Sequence, residues 1–305
     1  SEELRAVRCQ LARFAHEHSS PLSSVPSALS QETPTVLSAC VIVGDRPTTA
    51  LDCSDGLIVI GGRDGALWGL PYPDIDGTPI TRGNVHSGSI GLIRTHKDRI
   101  LTCSHDGTIA MSELESLREV ARISDAHEGR VGGIAWHPSG AFFASSGHED
   151  GRWRWWDVDK LSPVWQHRGH NPRHGIAAVD VAAHSGALVC TGGTDGHLRC
   201  WDVRAGRCIW TGAGHPQPIT LARFSPHCDA VIVTGALDNC IRLWDLRRLP
   251  ENGALCPDPV ATLPAHIAAP TDVAFSGGTM TTVSLDGTVR HWQAGTGRPV
   301  GAVSA

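Results

Sequence analysis

Four times along the chain a histidine, a hydroxyl side chain, an aspartate and a tryptophan follow one another at nearly fixed spacing. The sets are His127, Ser146, Asp150 and Trp156; His170, Thr191, Asp195 and Trp201; His215, Thr234, Asp238 and Trp244; and His266, Thr282, Asp286 and Trp292. A hydroxyl, an imidazole and a carboxylate are the parts of an acyl-transfer triad, in which the base draws a proton from a nucleophilic oxygen. One active site needs that set once; four copies argue for another role. The same groups make a hydrogen-bond relay. The aspartate accepts from the histidine and from backbone N–H groups, the histidine engages the hydroxyl, and the indole N–H ends the chain inside apolar surroundings. We read these side chains as structural and expect no catalytic residue, no cofactor and no enzymatic activity.

The elements that must position such relays are legible around them. Asp followed by Gly or Asn recurs at Asp64-Gly65, Asp106-Gly107, Asp150-Gly151, Asp195-Gly196, Asp238-Asn239 and Asp286-Gly287. Each pair lies between short alternating β-rich runs, such as Ala187–Thr191 before and His197–Trp201 after, and reads as a tight hairpin turn. Six residues beyond the turn Asp stand Trp156, Trp201, Trp244 and Trp292; four residues before it stand Thr102, Ser146, Thr191, Thr234 and Thr282. His86, His127, His170, His215 and His266 precede the turns by about 20 to 25 residues, and the turns recur at intervals of 42 to 48 residues, the period of a repeat architecture.

This pattern resembles the WD40-repeat family, whose repeat runs Gly-His, then strands, then Trp-Asp, as in Trp156-Asp157, Trp201-Asp202 and Trp244-Asp245. The resemblance covers about residues 44–293 and implies an all-β fold, a WD40 β-propeller whose blades bury their faces by stacking radially. Six repeats are visible. A seventh blade could come only from residues 1–45, which carry no turn of the right kind; Pro34–Val43 instead reads as a strand that completes the last blade. We divide the chain into residues 1–33, an amphipathic helix and a Ser/Pro-rich linker, and residues 34–305, the propeller. The short N-terminal helix rests on Leu4, Val7, Leu11 and Phe14, which recur at helical spacing with Arg5, Arg8 and Arg13 between them. That helix packs on the propeller's edge or docks into a partner.

Composition narrows the partners. With 26 basic and 31 acidic residues the formal charge is -5, which argues against a broad phosphate-neutralising surface and leaves RNA only local contacts. No apolar run approaches the roughly 20 residues of a membrane span, and Glu2, Glu3 and Glu17 stand where a secretory signal would be apolar. The ten cysteines show no CxxC pair, which suits a reducing compartment, and most read as small buried hydrophobes. His167, His170 and His174 are spaced for a metal, but no cysteine or carboxylate completes the set, so we expect none. Arg154, Arg199, Arg242 and Arg290 recur four residues after the turn Asp and read as structural, their stems packing between blades. Arg152, Trp153 and Trp155 crowd one hairpin and are candidate partner contacts, as are Leu4, Val7, Leu11 and Phe14.

A narrower resemblance is carried by three stretches. Residues 126–170, with Trp136-His137-Pro138-Ser139-Gly140 and Trp153-Arg154, look like the central blade of the WD40 subunits of the U4/U6 small nuclear ribonucleoprotein, the pre-mRNA processing factor 4 family. Gly44-Asp45-Arg46-Pro47 is similar to that family's entry to its first blade, and Thr191-Gly192-Gly193 through Trp201–Ile209 to its following blade. The resemblance implies a noncatalytic, nuclear scaffold of the U4/U6 snRNP and the U4/U6.U5 tri-snRNP, acting in pre-mRNA splicing through protein–protein contacts. It also implies splicing-protein partners such as pre-mRNA processing factor 3, with U4/U6 snRNA met indirectly or locally. The alternative from the repeat alone is a generic peptide-recognition adaptor of the ubiquitin-ligase substrate receptor or peroxisomal import receptor type.

Overall fold

The computed structural model describes residues 48–54, 56–72, 80–170, 173–247, 258–276, 278–294 and 297–304. The expected N-terminal helix, the linker and the Pro34–Val43 strand lie outside the described residues. Among the described residues every helix or strand is a β-strand, numbered β1 to β24 along the chain. Four consecutive strands form each antiparallel sheet, giving six sheets that we number as blades 1 to 6. The described residues form an all-β, six-bladed propeller.

The first strand of each sheet stands at the hub: β1 (Thr48–Ser54), β5 (Ile90–His96), β9 (Val131–Trp136), β13 (Ile176–Val181), β17 (Ile219–Ser225) and β21 (Pro270–Ser276). Each of these packs beside the first strand of the next blade from β1 through to β21. Near its start every one slips register against the second strand, as between Ile176 and Ala178 or between Ile219 and Leu221. Such a bulge adds local twist, which splays the blades around the hub. Hydrogen bonds cross between blades there: Thr220 Oγ1 donates to Pro270 O at 2.8 Å, and Phe224 N donates to Asp180 Oδ2 at 2.9 Å.

The core is a series of apolar layers between blades. Ala135, Ala144, Trp153 and Trp155 of blade 3 meet Ile176, Val179, Val189 and Trp201 of blade 4, and Leu198 and Cys200 of blade 4 meet Ile219, Ile232 and Trp244 of blade 5. Burying both faces of a sheet removes water from successive side chains and not only from alternate ones, which is why these strands carry apolar residues on both parities. Blade 1 buries a further cluster, Ile58, Ile60, Ala66, Trp68 and Leu70. Sheet ends are closed by the Asp-Gly and Asp-Asn turns, where Gly196 (φ 75°) and Asn239 (φ 64°) take the left-handed conformation the turn requires.

Among the described residues, the outer place in blade 6 is filled by β24 (Pro299–Ser304), antiparallel to β23 (Thr288–Gln293). A short chain reversal at Gly297 lets the C-terminal residues fold straight back onto β23.

Candidate functional site

Blade 4 shows the relay in its plainest form. Trp201 Nε1 donates to Thr191 Oγ1 at 2.9 Å, Thr191 Oγ1 lies 2.9 Å from His170 Nε2, and His170 Nδ1 lies 2.8 Å from Asp195 Oδ1. The direction is forced, because indole can only donate and an ionised carboxylate can only accept. Threonine therefore donates to Nε2, and the neutral imidazole carries its proton on Nδ1. Asp195 also accepts from His197 N at 3.1 Å and from Arg199 at 3.2 Å. Burial opposes its ionisation, but the His170 hydrogen bond, then the backbone bond from His197 and the Arg199 charge, outweigh burial and hold it below the usual carboxylate range. Burial pushes the His170 pKa down.

Gly193 is part of this arrangement, although its spacing drew no attention in the sequence. A Cβ there would stand 2.2 Å from both Asp195 Oδ1 and His170 Nδ1, so the aspartate and histidine meet only over a glycine. The Thr-Gly-Gly run before the turn is the sequence signal for it.

Blade 5 repeats the scheme: Trp244 donates to Thr234 at 2.8 Å, Thr234 lies 2.7 Å from His215 Nε2, and Asp238 lies 3.1 Å from His215 Nδ1. Arg242 pairs with Asp238 at 2.6 Å and also meets His215 Nδ1. Burial, then the Arg242 charge, lower the His215 pKa to about 4. The guanidinium heads of Arg154, Arg199 and Arg242 thus clamp the turn aspartates, beyond the packing of their stems. Arg290, at the same repeat position in blade 6, lies opposite Thr282 across the sheet.

Blade 3 departs from the spacing rule. His127 Nε2 lies 2.6 Å from Ser145 Oγ, and Trp156 donates to Ser145 at 2.8 Å, so Ser145 and not Ser146 is the relay hydroxyl. Ser145 pairs across the sheet with Arg154, as Thr191 does with Arg199. The turn of blade 3 is one residue longer ahead of its aspartate, which moves the hydroxyl from four residues before Asp150 to five. Ser146 consequently points to the opposite face, paired with Trp153. Asp150 lies 3.0 Å from His127 Nδ1.

Blades 2 and 6 contain a residue that the spacing did not single out. In blade 6 Thr288 donates to Asp286 at 2.6 Å and lies 2.9 Å from His266 Nδ1; beyond it come Thr282 at 2.9 Å from Nε2 and Trp292 donating to Thr282 at 3.0 Å. Blade 2 inserts Thr108 in the same way between Asp106 and His86, with Thr102 at 2.7 Å from Nε2. The signal is Asp-Gly-Thr, found at 106–108 and 286–288 and at neither turn that uses an arginine clamp in blades 3 and 4.

The remaining candidates separate. Trp153 and Trp155 are 1% and 4% exposed, inside the layer between blades 3 and 4, so they offer no surface to a partner; blade 4 covers the face on which both lie. Arg152 keeps one side to solvent and reaches Gln166 Oε1 at 3.4 Å. His167 stacks on Trp201, His170 belongs to the relay, and His174 Nδ1 lies 3.4 Å from Thr194 Oγ1, so these three histidines do not converge.

A family model described as WD domain, G-beta repeat matches residues 118–157, 161–202, 206–245 and 257–293, about half of the chain. Each matched segment takes in the outer strand of one blade and ends on the third strand of the next, so each matched repeat laces two blades together. The chain is also 30% identical over 131 residues to a Saccharomyces cerevisiae protein described as U4/U6 small nuclear ribonucleoprotein PRP4. That alignment covers 40% of this chain and 28% of the relative.

Proposed function

The chain belongs to the WD40-repeat family, and from that premise we propose that it is a noncatalytic scaffold of the U4/U6 snRNP and the U4/U6.U5 tri-snRNP, serving pre-mRNA splicing in the nucleus. The observation that carries this reading is the 30% identity to the yeast protein described as U4/U6 small nuclear ribonucleoprotein PRP4. Physical features support a role without chemistry. The hydroxyls Thr191, Thr234 and Thr282 are fully buried and already engaged by histidine and tryptophan, so no substrate carbonyl can reach them. A net charge of -5 favours attachment through proteins over a broad grip on RNA. The partners are splicing proteins, a protein like pre-mRNA processing factor 3 among them, with Leu4, Val7, Leu11, Phe14 and Arg152 as candidate contacts.

The test is purification of the tagged full chain from its own cells, with identification of the RNAs and proteins that accompany it. U4 and U6 RNA should co-purify, and the isolated chain should bind naked U4/U6 duplex weakly in a gel-shift titration across salt concentrations. Recovery of a ubiquitin ligase or peroxisomal import machinery in their place would assign the adaptor role, and tight duplex binding by the isolated chain would overturn attachment through protein.

A further inference from the structure

The outer strand of each blade is a sheet edge. Its ladder to the third strand uses the N–H and C=O groups of alternate residues and leaves the others turned outward, where another strand can pair with them. Among the described residues, five of the six edges carry a device that discourages such pairing. β4 (Ile80–Arg82) is three residues long, and β8 (Glu119–Ile123) carries the Glu119–Arg122 ion pair at 2.6 Å. β12 (Ser162–Arg168) and β24 contain Pro163 and Pro299, and Pro259 stands just ahead of the three-residue β20 (Ala261–Leu263). Proline has no N–H to offer a newcomer.

β16 (Arg207–Ala213) has none of these. It is seven residues long, contains no proline, and its one charge is Arg207 at the first position. Cys208 stands opposite Trp201 of β15 (His197–Asp202), the place that Pro163 takes opposite Trp156 and Pro299 opposite Trp292. One bulged residue follows, Ile209, 46% exposed; after it Trp210 to Ala213 run in unbroken register against Cys200 to His197. Cys208 and Ala213 are exposed as well. The charges at the start of this edge are close to balance. Asp202 lies within reach of the Arg204 and Arg207 charges and accepts from Arg204 N at 2.8 Å, and on the neighbouring blade 3 turn Asp159 stands exposed beyond the Asp157–Lys160 pair.

We propose that β16 is a docking edge for an extended segment of a partner protein, which adds to blade 4 as a fifth strand. The backbone supplies the attachment and the exposed side chains supply the choice. Residues that lie beside Ile209 and Thr211 are aliphatic, β-branched or aromatic, and an acidic residue is favoured beside Arg207. The balanced charge suits a segment of little net charge, and the missing proline on this edge is matched by none in the segment. This rests on the scaffold reading and deepens it by naming a surface and the chemistry of what it holds.

The test is selection from a random peptide display library on the intact full chain, followed by affinity measurement of the enriched peptides on the parent and on Cys208→Pro with Ile209→Lys. Blades 3 and 6 already hold proline at that register place, so the melting curve of the variant should match the parent. Enriched sequences should be rich in Val, Ile, Thr, Tyr or Phe and free of proline, and should lose at least tenfold in affinity on the variant. A second measurement does not depend on the variant. Peptides N-methylated at alternate backbone positions should lose at least tenfold in one of the two phases and bind unchanged in the other, because only one set of N–H groups faces β16. No enrichment, or binders indifferent both to the variant and to N-methylation, would overturn the proposal. So would a parent chain that light scattering shows as a dimer and the variant as a monomer, which would assign the edge to a second copy. The result stands apart from the co-purification, since a peptide can add to β16 whether or not the particle contains U4 and U6.

Discussion

The indole N–H of Trp156 donates to Ser145 Oγ at 2.8 Å across two strands of blade 3, and the same oxygen lies 2.6 Å from His127 Nε2. Ser145→Ala leaves a buried indole donor and a buried imidazole nitrogen without their partner, at a cost of about 1–3 kcal/mol. Ser146→Ala breaks no relay bond and should stay within about 0.5 kcal/mol of the parent. Urea unfolding of the two variants side by side distinguishes them; equal destabilisation would remove Ser145 from the relay.

The inserted threonines give a second contrast. Thr288→Val removes the hydroxyl that bridges Asp286 and His266 and leaves the imidazole Nδ1–H only the 3.3 Å approach of Asp286 Oδ2, at a cost of about 1–2 kcal/mol. Cys240 holds the corresponding place in blade 5, where Asp238 accepts from its backbone N–H and meets His215 and Arg242 directly. Cys240→Ala should therefore shift the unfolding midpoint far less than Thr288→Val.

Acid should loosen the ring through its histidines. Burial lowers the pKa of His86 and His215 to about 4, below the unfolded value near 6.5. The folded state then binds fewer protons, so stability from these groups is complete above pH 6.5 and is lost as pH falls from there through about 4. The melting temperature should fall across that window. His215→Gln should weaken its dependence on pH; an unchanged slope would mean that His215 is not the titrating group.

Asp180 acts with the opposite sign. Burial raises its pKa to about 7, against the backbone bond from Phe224 and the charge of Arg94, which lower it. A carboxyl whose folded pKa exceeds its unfolded one contributes stability in full below about pH 4 and loses that contribution as pH rises through about 7. Asp180→Asn should therefore gain on the parent as pH rises from 4 to 7 and hold a constant offset above pH 8. Thermal melts at pH 4, 6 and 8 measure it.

Much of this protein is written in its sequence because the determinants are local. A tight turn needs Asp-Gly or Asp-Asn within a few residues, a strand needs alternation over five or six, and both recur with the repeat, so the hairpins, the blades and the identities of the relay histidines, aspartates and tryptophans are legible residue by residue. The inserted threonines were legible too, as Asp-Gly-Thr, once the geometry gave that spelling a meaning.

Other features were decided by the tertiary structure. Whether Ser145 or Ser146 closes the blade 3 relay depends on strand pairing, because one extra turn residue moves the hydroxyl and adjacent side chains face opposite sides of a sheet. Trp153 and Trp155 look available in a hairpin read alone and are buried because blade 4 stacks on their face. The Asn239 side chain of the blade 5 turn donates to the carbonyl of Ile267 in the loop that leads into blade 6, at 3.0 Å, which ties two separate loops together. Only radial stacking brings those loops together, since residues far apart along the chain become neighbours when each blade must cover the next.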